Sequence, residues 1–263
     1  MIKIHFLGTC SGTEPMPDMH HSSYVIEYED RLYWLDAGEN CIHRAYTSGL
    51  DVMKTEAVFI THPHIDHVGG LANMLHCFEK LVVRSGKRFD NGNSLPIYFP
   101  ESNVFSAVLT IAKSKPATVK DFHFDLIHRE VGDGVIFDNG SVRVTAQHNT
   151  HLGIDEESQK HAFSYLFEIG GKRVVASGDV RSPSELKPLL LGGCDLLIME
   201  TGHHKVSDVL DFAKEEGVGS LIFTHHGREM LERRAECEAK IVAASASSGI
   251  PMYIAFDGMD HSL

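Results

Sequence analysis

The chain has 263 residues, 43% hydrophobic and 23% charged, an ordinary globular balance that excludes disordered and fibrous classes. With 36 acidic against 24 basic residues its formal charge is −12. That weakens a nucleic-acid-binding reading, because Lys and Arg supply most non-specific affinity for a polyanion. No run reaches the roughly 18 apolar residues of a spanning helix, so no membrane role is expected. Five scattered cysteines without a Cys-x-x-Cys pair point to a reducing cytoplasm rather than a disulfide framework.

The first residues, MIKIHFLGTC, read as a strand over 2–7 and lack the basic stretch and long apolar run of a secretory leader, so none is expected. Strands follow at 23–28 and 31–36 across a tight turn at Glu29-Asp30. A helix is expected from Asn40 to about Ser48, stopped by Gly49. Next come a buried strand at 57–61, a histidine-rich loop and a helix near 68–83. A polar loop over 85–96 leads to a strand at 96–99, a helix near 102–113, and strands near 122–128, 135–137 and 141–147. The last third alternates. Strands 163–169 and 172–179 form a hairpin over Gly170-Gly171, followed by helix 183–190, strand 195–200, helix 206–216, strand 220–224, helix 228–245 and strand 252–256. No internal repeat is visible. Hairpins first and β-α alternation later suggest two sheets covered by helices, in one domain spanning 1–263.

The chain uses histidine 18 times, and the densest group is Thr61-His-Pro-His-Ile-Asp-His-Val-Gly-Gly70. His62, His64, Asp66 and His67 place four possible metal ligands in six residues directly after an apolar strand. In extended backbone, side chains two apart point the same way, so His62 and His64 can share one ion. Asp66 and His67 fall where the chain turns into a helix and can face a second. Imidazole and carboxylate donors suit zinc, manganese or iron. The plainer alternative, a solvated histidine-rich turn, leaves the density of ligands without a use.

His-x-His-x-Asp-His after an apolar strand resembles the metallo-β-lactamase superfamily, and the likeness runs along nearly the whole chain. It implies a four-layer αββα sandwich, two mixed sheets flanked by helices, with a pair of metals at one edge. Segments FLGTCSGTEP (6–15), LDAGE (35–39) and METGHH (199–204) resemble the ribonuclease Z and phosphodiesterase branch. In that branch three later residues complete the ligand set. Asp179, in KRVVASGDV, matches the bridging carboxylate, and His225, in SLIFTHHG, matches the final histidine, with His226 as its alternative. For the middle histidine, VTAQHNTHLG offers both His148 and His151, and the branch's usual order favours His151. The resemblance thus implies that His62, His64 and His151 hold one ion and Asp66, His67 and His225 the other, with Asp179 between them. Two divalent ions are the implied cofactor, zinc first, manganese or iron as alternatives.

The same branch implies a protonating histidine about 22 residues before the last ligand. That position is His203, with Glu200 to orient it and His204 as the neighbour that could take its place. Asp66, His203 and Glu200 are therefore the residues expected to carry the chemistry. The chain departs from the branch in three ways. Nothing in 85–147 resembles the Gly-rich or basic arm that docks tRNA, the His-Ser-Thr wording is absent, and the segment between the Glu and the His is nearly deleted. A small-molecule or nucleotide phosphodiester is therefore the expected substrate, with tRNA as the lesser alternative. The oligomeric state stays open, a homodimer being one possibility because relatives of the branch are often dimers. Hydrolysis of a lactone or thioester on the same ions, and ligand sensing without turnover, are the competing functions.

Overall fold

The computed structural model describes residues 1–263. The chain divides into two compact units. One comprises Met1–Gly8, Asp18–Val131 and Asp257–Leu263, the other Thr9–Pro17 and Gly132–Phe256.

The first unit is a seven-stranded mixed sheet. Its strands are β1 (Lys3–Gly8), β2 (Ser23–Tyr28), β3 (Arg31–Leu35), β4 (Thr55–Phe59), β5 (Ser94–Tyr98), β6 (Asp125–Arg129) and the last strand of the chain, β14 (Asp260–Ser262). They lie in the order β14-β1-β2-β3-β4-β5-β6. Pairing is antiparallel from β14 to β3 and parallel from β3 to β6. Helices α1 (Cys41–Thr47), α3 (Leu71–Ser85) and α4 (Ser102–Lys113) cover one face, with the single turn α2 (Ile65–Val68) between α1 and α3. On α3 the buried residues Leu71, Met74, Leu75, Phe78 and Val82 recur at helical spacing and pack with Trp34, Val58 and Ile97 of the sheet. The Trp34 indole N–H, deep in this core, donates to Thr55 Oγ1 at 2.9 Å, so its polar atom carries no burial penalty.

The second unit repeats the same pattern of pairing. Its strands are β7 (Gly134–Asp138), β8 (Val142–His148), β9 (Phe163–Ile169), β10 (Lys172–Ala176), β11 (Leu196–Thr201), β12 (Leu221–His226) and β13 (Met252–Ile254). Their order is β13-β12-β11-β10-β9-β8-β7, antiparallel from β7 to β10 and parallel from β10 to β13. Helices α5 (Lys187–Leu190), α6 (Val206–Glu216), α7 (Arg228–Glu232) and α8 (Arg234–Ser248) bury Leu189, Val209, Met230 and Ile241 against Val175, Leu197 and Phe223. In open sheets of this kind, loops leaving the carboxyl ends of parallel strands gather at one edge and carry function.

Several boundaries differ from the sequence expectation. The expected helix 68–83 is two pieces parted at Gly69-Gly70. Gly70 lies so close to Gly38 that a Cβ there would stand 2.1 Å from the Gly38 carbonyl oxygen. The expected helix 228–245 breaks at Arg233 (φ −126°, ψ 41°), because α7 is held where Glu229 accepts the Val206 N–H at the start of α6 (2.9 Å). The expected helix 183–190 is a 3-10 turn over Pro183–Leu186 followed by α5; Pro188 has no N–H to continue a helical ladder. Strand β10 stops at Ala176 rather than 179, since Gly178 turns the chain at φ 55°. Strand 252–256 ends at Ile254, and β14, three polar residues long, was not expected.

Candidate metal centre

In the first unit the histidine-rich loop leaves β4 as extended backbone. His64 (φ −61°, ψ 148°) is the residue before α2, whose single turn carries Asp66 and His67. The two-residue spacing brings His62 Nε2 to 3.0 Å from His64 Nδ1. His67 Nε2 is 3.4 Å from Asp66 Oδ2. His62, Asp66 and His67 are buried.

A carboxylate outside this loop fixes its geometry. Asp36, just beyond β3 and 2% exposed, accepts from His67 Nδ1 at 2.7 Å and from the Thr61 N–H at 2.8 Å. The Thr61 hydroxyl donates to it as well. Asp36 stands in the left-handed region (φ 56°), and the turn it starts is laced to the loop: Ala37 N–H donates to His67 O and Gly70 N–H to Ala37 O. With Nδ1 of His67 committed as donor to Asp36, Nε2 is the nitrogen left with a lone pair for a ligand.

In the second unit the donors come from four strand ends. Asp179, 2% exposed, has three imidazole nitrogens around it: His225 Nε2 at 3.4 Å, His151 Nε2 at 3.7 Å and His203 Nδ1 at 3.7 Å. His225 gets there through a β-bulge. Glu200 pairs with Thr224 and Thr201 with His226, so His225 is the extra residue between them. Its φ of 48° lies in the left-handed region, which histidine, like Asn and Asp, adopts more often than other non-glycine residues, and bulges re-aim side chains in this way beside functional sites. Gly202 makes room for the ring, since a Cβ there would meet His225 Nδ1 at 2.6 Å. The segment from Thr9 backs this corner: Thr9 O accepts the His226 N–H at 2.7 Å and Ser11 Oγ donates to His226 O at 2.9 Å.

Glu200, 1% exposed, lies behind Asp179. It accepts from the His203 N–H at 2.9 Å, from His203 Nδ1 at 3.1 Å and from the Val180 N–H at 3.3 Å. Burial pushes the Glu200 carboxyl up, but the hydrogen bond from His203 and the His225 imidazole 3.8 Å away outweigh it and hold it below its ordinary value. The same hydrogen bond to Glu200 raises the His203 imidazole above its ordinary value.

The residues that the sequence left as alternatives have different surroundings. His151 stands beside Asp179, whereas His148 Nδ1 donates to Asp133 at 2.6 Å. His225 faces Asp179, whereas His226 Nε2 donates to Ala255 O at 2.8 Å and burial pushes its imidazole down to about 4. His203 is bonded to Glu200 through Nδ1 with its side chain 44% exposed, whereas His204 is 8% exposed with Nε2 donating to Val180 O. Two residues escaped the sequence reading. One is Asp36, present in the quoted LDAGE segment but given no role. The other is Glu185, whose Oε1 accepts from Thr150 N–H and Oγ1, and whose Oε2 accepts from the Arg181 and Ser182 N–H groups. Glu185 thereby joins the loops that carry His151 and Asp179. Its Ser-x-x-Glu capping pattern from Ser182 was readable, though not that link.

The donor sets fit divalent ions. Ligands about 2.0–2.2 Å from a tetrahedral zinc stand roughly 3.3–3.6 Å from one another, close to the 3.0 and 3.4 Å found in the first unit and the 3.4–3.7 Å in the second. Imidazole and carboxylate are the donors zinc, manganese and iron accept.

A family model described as Anti-Pycsar protein Apyc1 matches residues 2–201. The chain is 28% identical to a ribonuclease Z of Methanopyrus kandleri, over 91% of this chain and 92% of that protein. It is 26% identical to a ribonuclease Z of Halobacterium salinarum, over 100% of this chain and 97% of that protein. That second alignment runs to 320 positions against 263 residues, so the relative carries about 57 positions for which this chain has none. Among solved structures, the metallo-β-lactamase fold protein YhfI of Bacillus subtilis superposes with a TM-score of 0.75 at 19% identity over the full length of both chains, which shows the fold. The family model spans about three quarters of the sequence, and the chain belongs to the Anti-Pycsar protein Apyc1 family, as a metal-dependent hydrolase of the metallo-β-lactamase fold and its ribonuclease Z-like branch.

Proposed function

We propose that the protein is a phosphodiesterase for small phosphodiesters, cyclic or nucleotide, working with two divalent ions, zinc first. In this reading His62, His64 and His151 would hold one ion and Asp66, His67 and His225 the other, with Asp179 as a ligand offered to both. The observation that carries it is Asp179, a buried carboxylate whose Oδ1 lies 3.4 Å from His225 Nε2 and whose Oδ2 lies 3.7 Å from His151 Nε2. Such a pair of ions, when bound, lowers the pKa of a shared water and draws charge from the phosphate.

The side chains supply the rest. Asp66 offers a carboxylate oxygen to orient the attacking water, and Asp36 keeps the His67 ring in place. His203 is the general acid: Glu200 holds its Nδ1 side, which leaves Nε2 to give a proton to the departing alkoxide, a poor leaving group without one. The acidic balance of the chain and the 57 or so positions it lacks beside the Halobacterium relative favour a small substrate over a long polyanion.

A substrate panel tests this. Zinc-loaded protein should hydrolyse bis(p-nitrophenyl) phosphate and cyclic nucleotides, and His64→Ala should reduce both by at least a thousandfold. Turnover of lactones or thioesters with phosphodiesters left intact would overturn the proposed substrate class.

A further inference from the structure

The ligand set proposed above leaves donors of the second unit unused. Ligand atoms of Asp179, Glu200, His203 and His225 all lie within 4.8 Å of one another. His203 Nδ1 is the common neighbour, 3.1 Å from Glu200 Oε1 and 3.7 Å from Asp179 Oδ2. On the far side of Glu200, Oε2 stands 3.8 Å from His225 Nδ1. Glu200, Asp179 and His225 are each at most 2% exposed, while the His203 side chain is 44% exposed. Two buried carboxylates and one partly exposed imidazole therefore stand within reach of a single ion.

We propose that Glu200, His203 and Asp179 form an additional cation site, which takes a divalent ion of the zinc or manganese type when metal is in excess. Three observations support it. The separations of 3.1 and 3.7 Å bracket the spacing of donors around one tetrahedral ion. A mixed imidazole and carboxylate set favours zinc or manganese over magnesium, which prefers oxygen and keeps its waters. Asp179 can serve here as well as in its bridging role, because a carboxylate offers about four lone-pair positions on two oxygens.

Binding has a defined consequence. His203 Nδ1 carries the proton that it donates to Glu200. An ion at this point takes the Nδ1 lone pair, and that proton leaves to solvent. Glu200 then ligates the ion and no longer orients His203 as a proton donor. Excess metal is thus inhibitory, through the residues that protonate the leaving group. This consequence rests on the reading of His203 as general acid, whereas the site itself does not.

The test is equilibrium dialysis of the zinc-loaded protein against rising free zinc, with bound metal counted by mass spectrometry and cyclic-nucleotide hydrolysis followed in parallel. Wild type should rise from two bound ions to three, with turnover falling at least fivefold over the same range. His203→Ala and Glu200→Gln should stay at two. The first removes an exposed side chain and the second is isosteric, so circular dichroism should show both folded. Saturation of wild type at two, or a third ion retained in His203→Ala, overturns the additional site. If wild type binds fewer than two ions, the dinuclear reading fails by itself. The additional site is then supported if the bound ion is lost in His203→Ala and overturned if it is kept.

Discussion

His67 Nδ1 donates to Asp36 Oδ2 at 2.7 Å, and both side chains are at most 2% exposed. This buried pair selects the tautomer of a proposed ligand, since only Nε2 of His67 remains to bind metal. Asp36→Asn should keep the fold, because Asn tolerates the left-handed backbone that Asp36 adopts (φ 56°). It should weaken zinc binding by about 10–100-fold. Competition titration with a chromogenic chelator measures this, and unchanged affinity would remove Asp36 from the site.

Gly202 is required for its lack of a side chain. A Cβ there would stand 2.6 Å from Nδ1 and 2.8 Å from Cε1 of His225, and 3.2 Å from Ser11 Cβ. Gly202→Ala should displace the His225 ring and lower turnover by at least tenfold, while the overpacking costs about 1–3 kcal/mol of stability. Paired thermal melts and rate measurements separate the two effects. Activity at the wild-type level would mean that His225 need not hold its position.

General acid catalysis by His203 should depend on the leaving group. His203→Ala should slow hydrolysis of a cyclic nucleotide, which expels an alkoxide, by about 10²–10⁴-fold. It should affect bis(p-nitrophenyl) phosphate far less, because p-nitrophenolate departs without a proton. Equal losses on both substrates would argue that His203 acts by holding the loop rather than by giving a proton.

A separate ion cluster sets an acid limit on the first unit. Glu79 on α3 accepts from Lys113 Nζ on α4 (2.8 Å), from His123 Nδ1 (2.7 Å) and from the His123 N–H (3.0 Å). Burial pushes its carboxyl up, yet the bonds from Lys113 and His123 outweigh it and leave it below the ordinary 4.5. A carboxyl lowered on folding stabilises fully above its unfolded value, and the gain disappears as pH falls through the folded one. Glu79→Gln should therefore cost about 1–2 kcal/mol near pH 7, and the difference from wild type should shrink below pH 4.5. Denaturant melts at pH 7, 5 and 3.5 check this; a gap that widened on acidification would reverse the sign.

The convergence of side chains in the histidine-rich loop was legible in the sequence because its information is local. His62, His64, Asp66 and His67 lie within one strand end and one turn, and period-two and helical geometry settle which rings converge. Asp179 was reached only through the resemblance to the ribonuclease Z-like branch, on the segment KRVVASGDV. Asp36 was not legible, since its role depends on partners 25 and 31 residues away and on a positive φ. The placement of His225 depends on its strand neighbour: the bulge exists only because Thr201 pairs with His226 rather than with His225, and pairing is not written in either strand alone. The matched succession of antiparallel and parallel pairs in the two sheets leaves no sequence repeat for the same reason. Register and order are set by tertiary packing, and many side-chain sets satisfy them. The break at Arg233 likewise follows from Glu229 binding the Val206 N–H, a contact across 23 residues.

Metal dependence through Asp179 is the most direct test. Protein stripped with a strong chelator should lose phosphodiesterase activity and regain it as zinc is returned up to two equivalents, and Asp179→Ala should bind less metal and show no activity after the same treatment. Full activity in the metal-stripped protein, or in Asp179→Ala, would contradict a metal-dependent phosphodiesterase built around this carboxylate.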